Sequence, residues 1–388
     1  MKKILFGILL KKPQLNETFL GKGCQTFIMY NYFFFSCLFI TSFFTFSQNV
    51  NIEQKVFLIT LDGLRWQELF RGADSLLIKN QNYVKDPEKL YKWAWSEKPH
   101  DRRLKLMPFI WEEVIEIGQI YGNRNLGSKV NLSNNMWFSY PGYNEILTGR
   151  ADDKNIISND KIHNPNQTVL EQFAKTYDPF KVAAFGSWDV FDYIVNQERS
   201  GVYTNCGFEQ STDLPLSNQE ILLNELQSQI PSPWDNVRLD GFTHQYAKAY
   251  LDKHQPDLIF ISYGETDDFA HNGDYESYLN STKNTDNFLK DLWEYTQQKE
   301  YYKGKTTFII TTDHGRGTKP IDSWRGHGVD IKGSDQTWII VFGKGVSPKG
   351  EISKKGQLYN NQIAPLIRKL MGLTQKKDEN YGTPLIIE

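Results

Sequence analysis

Five short apolar runs, separated by segments of helical period, constrain the fold of this chain more than any other feature. They are residues 56–61 (VFLITL), 180–185 (FKVAAF), 257–262 (DLIFIS), 307–312 (TFIITT) and 338–342 (WIIVF). A half-buried strand alternates apolar with polar residues, whereas a parallel strand covered on both faces is apolar throughout. Residues 108–117, 168–176, 218–230, 241–254 and 275–299 repeat apolar side chains at helical spacing, and 361–371 supplies a terminal helix. Strands alternating with such helices predict an α/β fold, a three-layer sandwich with a mostly parallel central sheet. Segments 76–106 and 191–235 fit the alternation poorly. Both are expected as small cap insertions over the carboxyl edge of the sheet, where ligands bind in such folds.

The first 48 residues stand apart. Lys2 and Lys3 open the chain, and residues 30–46 (YNYFFFSCLFITSFFTF) form an apolar stretch that ends at Ser47-Gln48. A basic lead, a short apolar run and small or polar residues behind it read as an export signal, cleaved near Ser47 or Gln48. A bilayer span takes about 20 apolar residues. This run is shorter and is broken by Asn31, Ser36, Thr41 and Ser42, so an uncleaved membrane anchor is the weaker alternative. The segment ahead of Met29 is long for a signal, which makes Met29 a second candidate start. Residues 49–388 are then one periplasmic or extracellular domain. Cys24 and Cys37 fall in the leader and leave Cys206 alone in the mature chain. No internal disulfide can form there, so core and metals must hold the fold, and Cys206 is expected to be a small buried or loop residue. Lys+Arg 44 against Asp+Glu 46 leaves a net charge of -2 and no basic footprint for nucleic acid. The expected partner is a small molecule.

Side chains that bind metals gather at the ends of the apolar runs. Asp62 closes the first in Leu61-Asp62-Gly63, and Asp313 and His314 follow the fourth. Asp267 and His271 follow the third, at a spacing that puts both on one helical face within reach of a single ion. His327 stands between Gly326 and Gly328, where the backbone can bend closely around a site. Taken singly, each has an ordinary explanation as a turn aspartate, a helix cap or a structural histidine. Together, three carboxylates and three imidazoles suit two divalent ions, zinc first, with manganese as the alternative. Ser139 precedes an apparent helix, where an isolated serine is first an N-cap. Beside metals it is also a nucleophile, because a metal lowers the hydroxyl pKa and the helix N-terminus favours phosphate oxygens. Arg150, Arg316, Trp66, Trp188 and Asp189 lie near these motifs in sequence, and each has an equally good structural reading.

In order, LDG at 61–63, SYPG at 139–142 with LTG at 147–149, ETDDFAH at 265–271, TDHG at 312–315 and GHG at 326–328 resemble the alkaline phosphatase superfamily. Within it, the type I phosphodiesterase/nucleotide pyrophosphatase branch is the nearest pattern, over residues 56–373. The resemblance implies an alkaline-phosphatase-like fold with two metal sites. One would be held by Asp267, His271 and His327, the other by Asp62, Asp313, His314 and the oxygen of Ser139. It implies Ser139 as nucleophile, with Asn159 and the Tyr140 backbone N–H binding phosphate. That branch commonly has threonine followed by Phe-Pro-Asn, where this chain has Ser139-Tyr140-Pro141-Gly142. Thr266-Asp267 likewise replaces Pro-Asp, and Ala270-His271 replaces Gly-His. The ligands survive these departures, whereas a nucleotide preference does not follow from them.

The chain is therefore expected to be an exported, metal-dependent phosphoric ester hydrolase, a phosphodiesterase or phosphomonoesterase acting through a phosphoseryl intermediate. Three alternatives stand beside that expectation. A sulfatase-like hydrolase looks for Arg four residues after the nucleophile, where this chain has Tyr143. A phosphoglycerate-mutase-like enzyme needs a large inserted domain for which there is little room. An inactive exported binding protein would not be expected to keep a complete ligand set. The leaving group is not legible in the sequence.

Overall fold

The computed structural model describes residues 53–388, so the leader and its expected cleavage site lie outside the described residues. The strands are β1 (Lys55–Leu61), β2 (Gly118–Tyr121), β3 (Ser128–Asn131), β4 (Val182–Gly186), β5 (Tyr203–Cys206), β6 (Leu258–Tyr263), β7 (Thr306–Thr311), β8 (Gln336–Thr337), β9 (Ile339–Gly343), β10 (Gly350–Glu351) and β11 (Gly356–Tyr359). Among the described residues, one 8-stranded sheet has the order β10-β2-β9-β7-β1-β6-β4-β5, and a 3-stranded sheet has the order β11-β3-β8. β7, β1, β6, β4 and β5 run parallel, and β10 is parallel to β2. β9 alone in the large sheet opposes its neighbours β7 and β2.

Every residue of β1 is buried, as its unbroken apolar run requires. Successive strand residues point to opposite faces, and here they feed two different clusters. Phe57, Ile59, Leu61, Ile259, Ile261, Phe308 and Ile310 pack with Leu279, Leu289 and Leu292 of the helix Tyr275–Gln298. Val56, Leu58, Leu258, Phe260 and Ile309 pack instead with Ile146 and Leu147 of the helix Ser139–Thr148 and with Leu366 and Ile367 of the helix Ile363–Leu370. Each such side chain, fully buried, contributes about 1.5–3 kcal/mol. The result is the expected three-layer sandwich.

Parts of the two segments expected as caps pack on the core or extend the sheet. Residues 76–106 lie in the helices Ser75–Ile78, Pro87–Ala94 and Pro99–Leu106 and the turns between them. Their Leu77, Ile78, Leu90, Ala94 and Leu106 join the Ile59 side of the core. Asp74 and Asp86 cap the first two helices, and Pro87 and Pro99 open the latter two. Within 191–235, β5 extends the sheet beside β4, and the helix Asn218–Gln229 starts on a capping box of Ser217 and Glu220. Cys206 ends β5 as a free, buried thiol.

Candidate metal centre and nucleophile

The three central strands β7, β1 and β6 are neighbours, and each delivers ligands at its carboxyl end. Asp62 directly follows β1, while Asp313 and His314 follow β7. After β6, Gly264 turns the chain into the helix Glu265–His271, which carries Asp267 and His271 on one face. His327 comes from the segment after the 3-10 turn Ile321–Arg325. Glycine at 63 is required twice over: its φ is +59°, and a Cβ there would stand 2.6 Å from Asp267 Oδ1. All six ligands and Ser139 converge.

His271 Nε2 lies 3.1 Å from Asp267 Oδ2 and 3.0 Å from His327 Nε2. On the other side, His314 Nε2 stands 3.4 Å from Asp62 Oδ1, 3.5 Å from Asp313 Oδ2 and 3.6 Å from Asp267 Oδ1. Ser139 Oγ is 3.3 Å from the same nitrogen. Ligand atoms of Asp267, His271 and His327 fall within 4.8 Å of one another, and so do those of Asp62, Asp267 and His314. Asp267 thus faces both groups, where the resemblance placed it in one.

These groups fit divalent ions. His314 Nδ1 donates to the Gly315 carbonyl oxygen at 2.9 Å, which in the neutral ring places the lone pair on Nε2. That lone pair faces Asp62 Oδ1 and Asp313 Oδ2, both buried and without a hydrogen-bond donor. Burial pushes the Asp62 carboxyl well above the usual carboxylate range, and the Asp267 charge adds to the rise. Burial and then Asp62 do the same to Asp313. Burial would raise Asp267 as well, but the Arg316 guanidinium and His271 hold it well below. Electron pairs without donors, on carboxyls whose charge is resisted by burial and by one another, call for cations between them.

Several supporting side chains were not legible in the sequence. Tyr143, fully buried, donates to Asp62 Oδ2 at 2.8 Å and meets Ser262 Oγ at 3.0 Å. Thr266 donates its hydroxyl to the Asp62 carbonyl. Arg316, assigned no definite role beforehand, donates to Asp267 Oδ1 at 2.8 Å and to the Asp267 carbonyl at 3.0 Å. Ser139 opens its helix directly after Phe138, and Trp137 before it has a φ of +55°. Such a conformation is strained for a bulky residue and is held by its surroundings. Gly142 lets this helix press on the Asp313 loop, since a Cβ there would lie 2.2 Å from the Asp313 carbonyl oxygen.

Glu145, on the helix that Ser139 opens, ties that helix to the segment before it and to Asn361. Its carboxylate accepts from the Ser133, Asn134 and Asn361 N–H groups at 2.8–3.0 Å and from Asn134 Nδ2 at 2.9 Å. Replacing it with alanine strands these donors in a buried place, for which about 2–4 kcal/mol of stability is the expected loss. A fall in urea midpoint with unchanged slope checks this. An unchanged midpoint contradicts it.

The expected phosphate-binding pair is rearranged. Tyr140 N–H donates to Asn159 Oδ1 at 2.9 Å, so that amide is already engaged. The contact satisfies one of the free donors of a first helical turn and uses the Asn159 carbonyl oxygen, not its Nδ2. Asn159 lines a cleft of about 420 Å³ with Asp62, Ser139, Asp267, His271 and His327. Trp188 and Asp189 line it too, as do Lys161 and Asp268, which sequence reasoning missed. Lys161 pairs with Asp189 at 2.7 Å. Trp66 instead donates to Gln336, and Arg150 binds Asn166 and stands 3.7 Å from Asp152; neither lines the cleft. Nor does any residue of 76–106 or 191–235.

Comparison with known proteins agrees with this geometry. Residues 224–375 match the sequence model of the Metalloenzyme superfamily, a stretch holding five of the six ligands. A 2,3-bisphosphoglycerate-independent phosphoglycerate mutase of Wolinella succinogenes is 27% identical over 160 residues, 40% of this chain and 30% of that enzyme. Its counterpart in Campylobacter jejuni is 24% identical over 168 residues, 42% of this chain and 32% of the other. The chain thus spans about a third of the length of the curated relatives it matches. Among solved structures, alkaline phosphatase PafA is similar with a TM-score of 0.55 at 13% identity, covering 87% of this chain and 99% of that one. The lipoteichoic acid synthase LtaP from Listeria monocytogenes gives 0.54 at 10%, covering 86% and 76%. At such identities the likeness is one of fold. The alkaline-phosphatase-like fold stands.

Proposed function

We propose that this chain, built on the alkaline phosphatase superfamily's fold and carrying Metalloenzyme superfamily sequence over 224–375, is an exported phosphate-ester hydrolase. The observation that carries the proposal is the position of Ser139 Oγ at a helix start, 3.3 Å from His314 Nε2 and in one cleft with Asp62, Asp267, His271 and His327. Ser139 Oγ attacks phosphorus, a phosphoseryl bond forms, and the ester oxygen leaves on the opposite side. Water then cleaves the phosphoseryl bond and restores the hydroxyl. Divalent ions held by Asp62, Asp267, His271, Asp313, His314 and His327 would supply positive charge for the phosphate oxygens and lower the pKa of hydroxyl and water. Asn159 Nδ2 offers a donor to a phosphate oxygen, Tyr143 holds Asp62 in orientation, and Arg316 holds Asp267.

Zinc suits the mixed carboxylate and imidazole donors, with manganese as the alternative. A sulfatase reading is disfavoured because the side chain four residues after Ser139 is Tyr143, buried on Asp62. Metal analysis with hydrolysis of bis-p-nitrophenyl phosphate, p-nitrophenyl phosphate and p-nitrophenyl sulfate tests the reading. Bound ions with faster turnover of a phosphate than of the sulfate are expected, and preference for the diester would favour the type I phosphodiesterase kind. A metal-free protein inert to all three contradicts the proposal. Export has its own check. The protein recovered from the periplasm or medium of an expressing bacterium is expected to begin near Ser47 or Gln48; a cytoplasmic chain retaining residues 30–46 refutes export.

A further inference from the structure

The helix that carries Asp267 and His271 has no side-chain cap from its own N-cap residue, Gly264, and neither does the helix Asp240–His254 from Leu239. Each is capped by the first residue of the other. Asp240 Oδ1 accepts from Gly264 N–H at 2.7 Å, and Asp240 Oδ2 accepts from Glu265 N–H at 3.2 Å. In return Glu265 Oε1 accepts from Asp240 N–H at 2.8 Å. Ser187 Oγ donates to Asp240 Oδ1 at 2.6 Å and meets Thr243 Oγ1 at 2.8 Å. Ser187 also begins the cleft wall. Its N–H donates to the Ser262 carbonyl, its carbonyl accepts from Arg238 N–H, and the next residue, Trp188, pairs with Val237. One carboxylate, 1% exposed, therefore joins the helix that carries Asp267 and His271 to the part of the cleft wall formed by Trp188 and Asp189.

We infer that the reciprocal cap of Asp240 and Glu265 is the positioning device for the ion group Asp267, His271 and His327. The inference rests on the proposed reading of that triad as an ion site. Neither residue touches substrate or ion. Asp240 fixes the first turn of the 7-residue helix Glu265–His271, and Glu265 that of the 15-residue helix Asp240–His254; a helix as short as the first does not hold its own geometry in water. Asp267 sits two residues from the capped Glu265 N–H, so a frayed first turn moves it directly, and His271 moves with it. Partners that orient metal ligands through a hydrogen bond typically carry about 10–100-fold in metal affinity.

The test measures zinc affinity by chelator competition on folded protein, checked by circular dichroism, for the parent, Asp240→Ala, Asp240→Asn and His271→Ala. Asp240→Ala is expected to weaken one ion by about 10–100-fold and to add little further loss when combined with His271→Ala, because both act on the same ion. Asp240→Asn keeps one acceptor oxygen and is expected to lose less; should the alanine variant not fold, it carries the test. Unchanged affinity for both ions in a folded Asp240 variant overturns the inference. So does a loss that adds fully to that of His271→Ala, which marks a general loosening rather than placement of this triad. A parent that binds no ion through His271 overturns the ion-site reading itself, and the inference with it.

Discussion

Ser139→Ala is expected to lower turnover of every phosphate ester by about 10³-fold or more, while both ions stay bound. Two parts of the geometry set these outcomes apart. Ser139 Oγ is the hydroxyl placed 3.3 Å from His314 Nε2 at the helix start, and no water can take over its bond to phosphorus without losing that placement. The ligands, by contrast, keep their own supports: Tyr143 on Asp62, Gly63 N–H on Asp313 Oδ1 at 3.1 Å, Arg316 on Asp267 and the Gly315 carbonyl on His314. Ion content by mass spectrometry and initial rates on the same preparation check both halves. Activity within tenfold of the parent removes the nucleophile assignment, and loss of the ions together with activity leaves Ser139 as a ligand only.

Asp267→Ala has the second large expected effect, reaching metal content, activity and stability together. Asp267 Oδ1 lies 3.6 Å from His314 Nε2 and 3.8 Å from His327 Nε2, while Oδ2 lies 3.1 Å from His271. Removing it takes a ligand from both groups at once, so neither ion is expected to stay bound. It also leaves the Arg316 guanidinium, 1% exposed, without its carboxylate, a kind of loss worth about 3–5 kcal/mol. Zinc separates the two contributions. Parent protein gains about 2.7 kcal/mol at a zinc concentration 100 times the dissociation constant, whereas the variant should melt at one temperature with or without zinc. A variant that still gains stability from zinc and turns over substrate contradicts a shared role for Asp267.

The same residues show what the sequence carries and what it withholds. Strands β1, β6 and β7 were legible because burial on both faces demands unbroken apolar residues, a signal local to each strand. β2, β3, β5, β8, β10 and β11 span at most four residues, too few to establish a period. β5 reads YTNC, with its first two residues only half buried. The reversal of β9 was illegible for another reason, since side-chain pattern records burial and not direction. The helices within residues 76–106 were not legible because lysines and tyrosines hide a thin apolar stripe of Leu77, Leu90 and Leu106.

At the site, the gathering of the six candidate ligands and Ser139 was legible through motif order. Their supports were not, because Tyr143, Arg316, Glu145 and Asp240 act across 11 to 216 residues of chain. No local spacing encodes such contacts. Asn159 fell between the two cases: its place in the cleft was legible, its bond to Tyr140 N–H was not.

Acid-quenched turnover followed by peptide mapping tests the phosphoseryl mechanism most directly. Protein mixed with excess p-nitrophenyl phosphate or its diester and quenched within one turnover should yield the peptide containing Ser139 in phosphorylated form, absent from Ser139→Ala. Turnover that leaves that peptide unmodified at every quench time, or phosphate on any other residue, contradicts it.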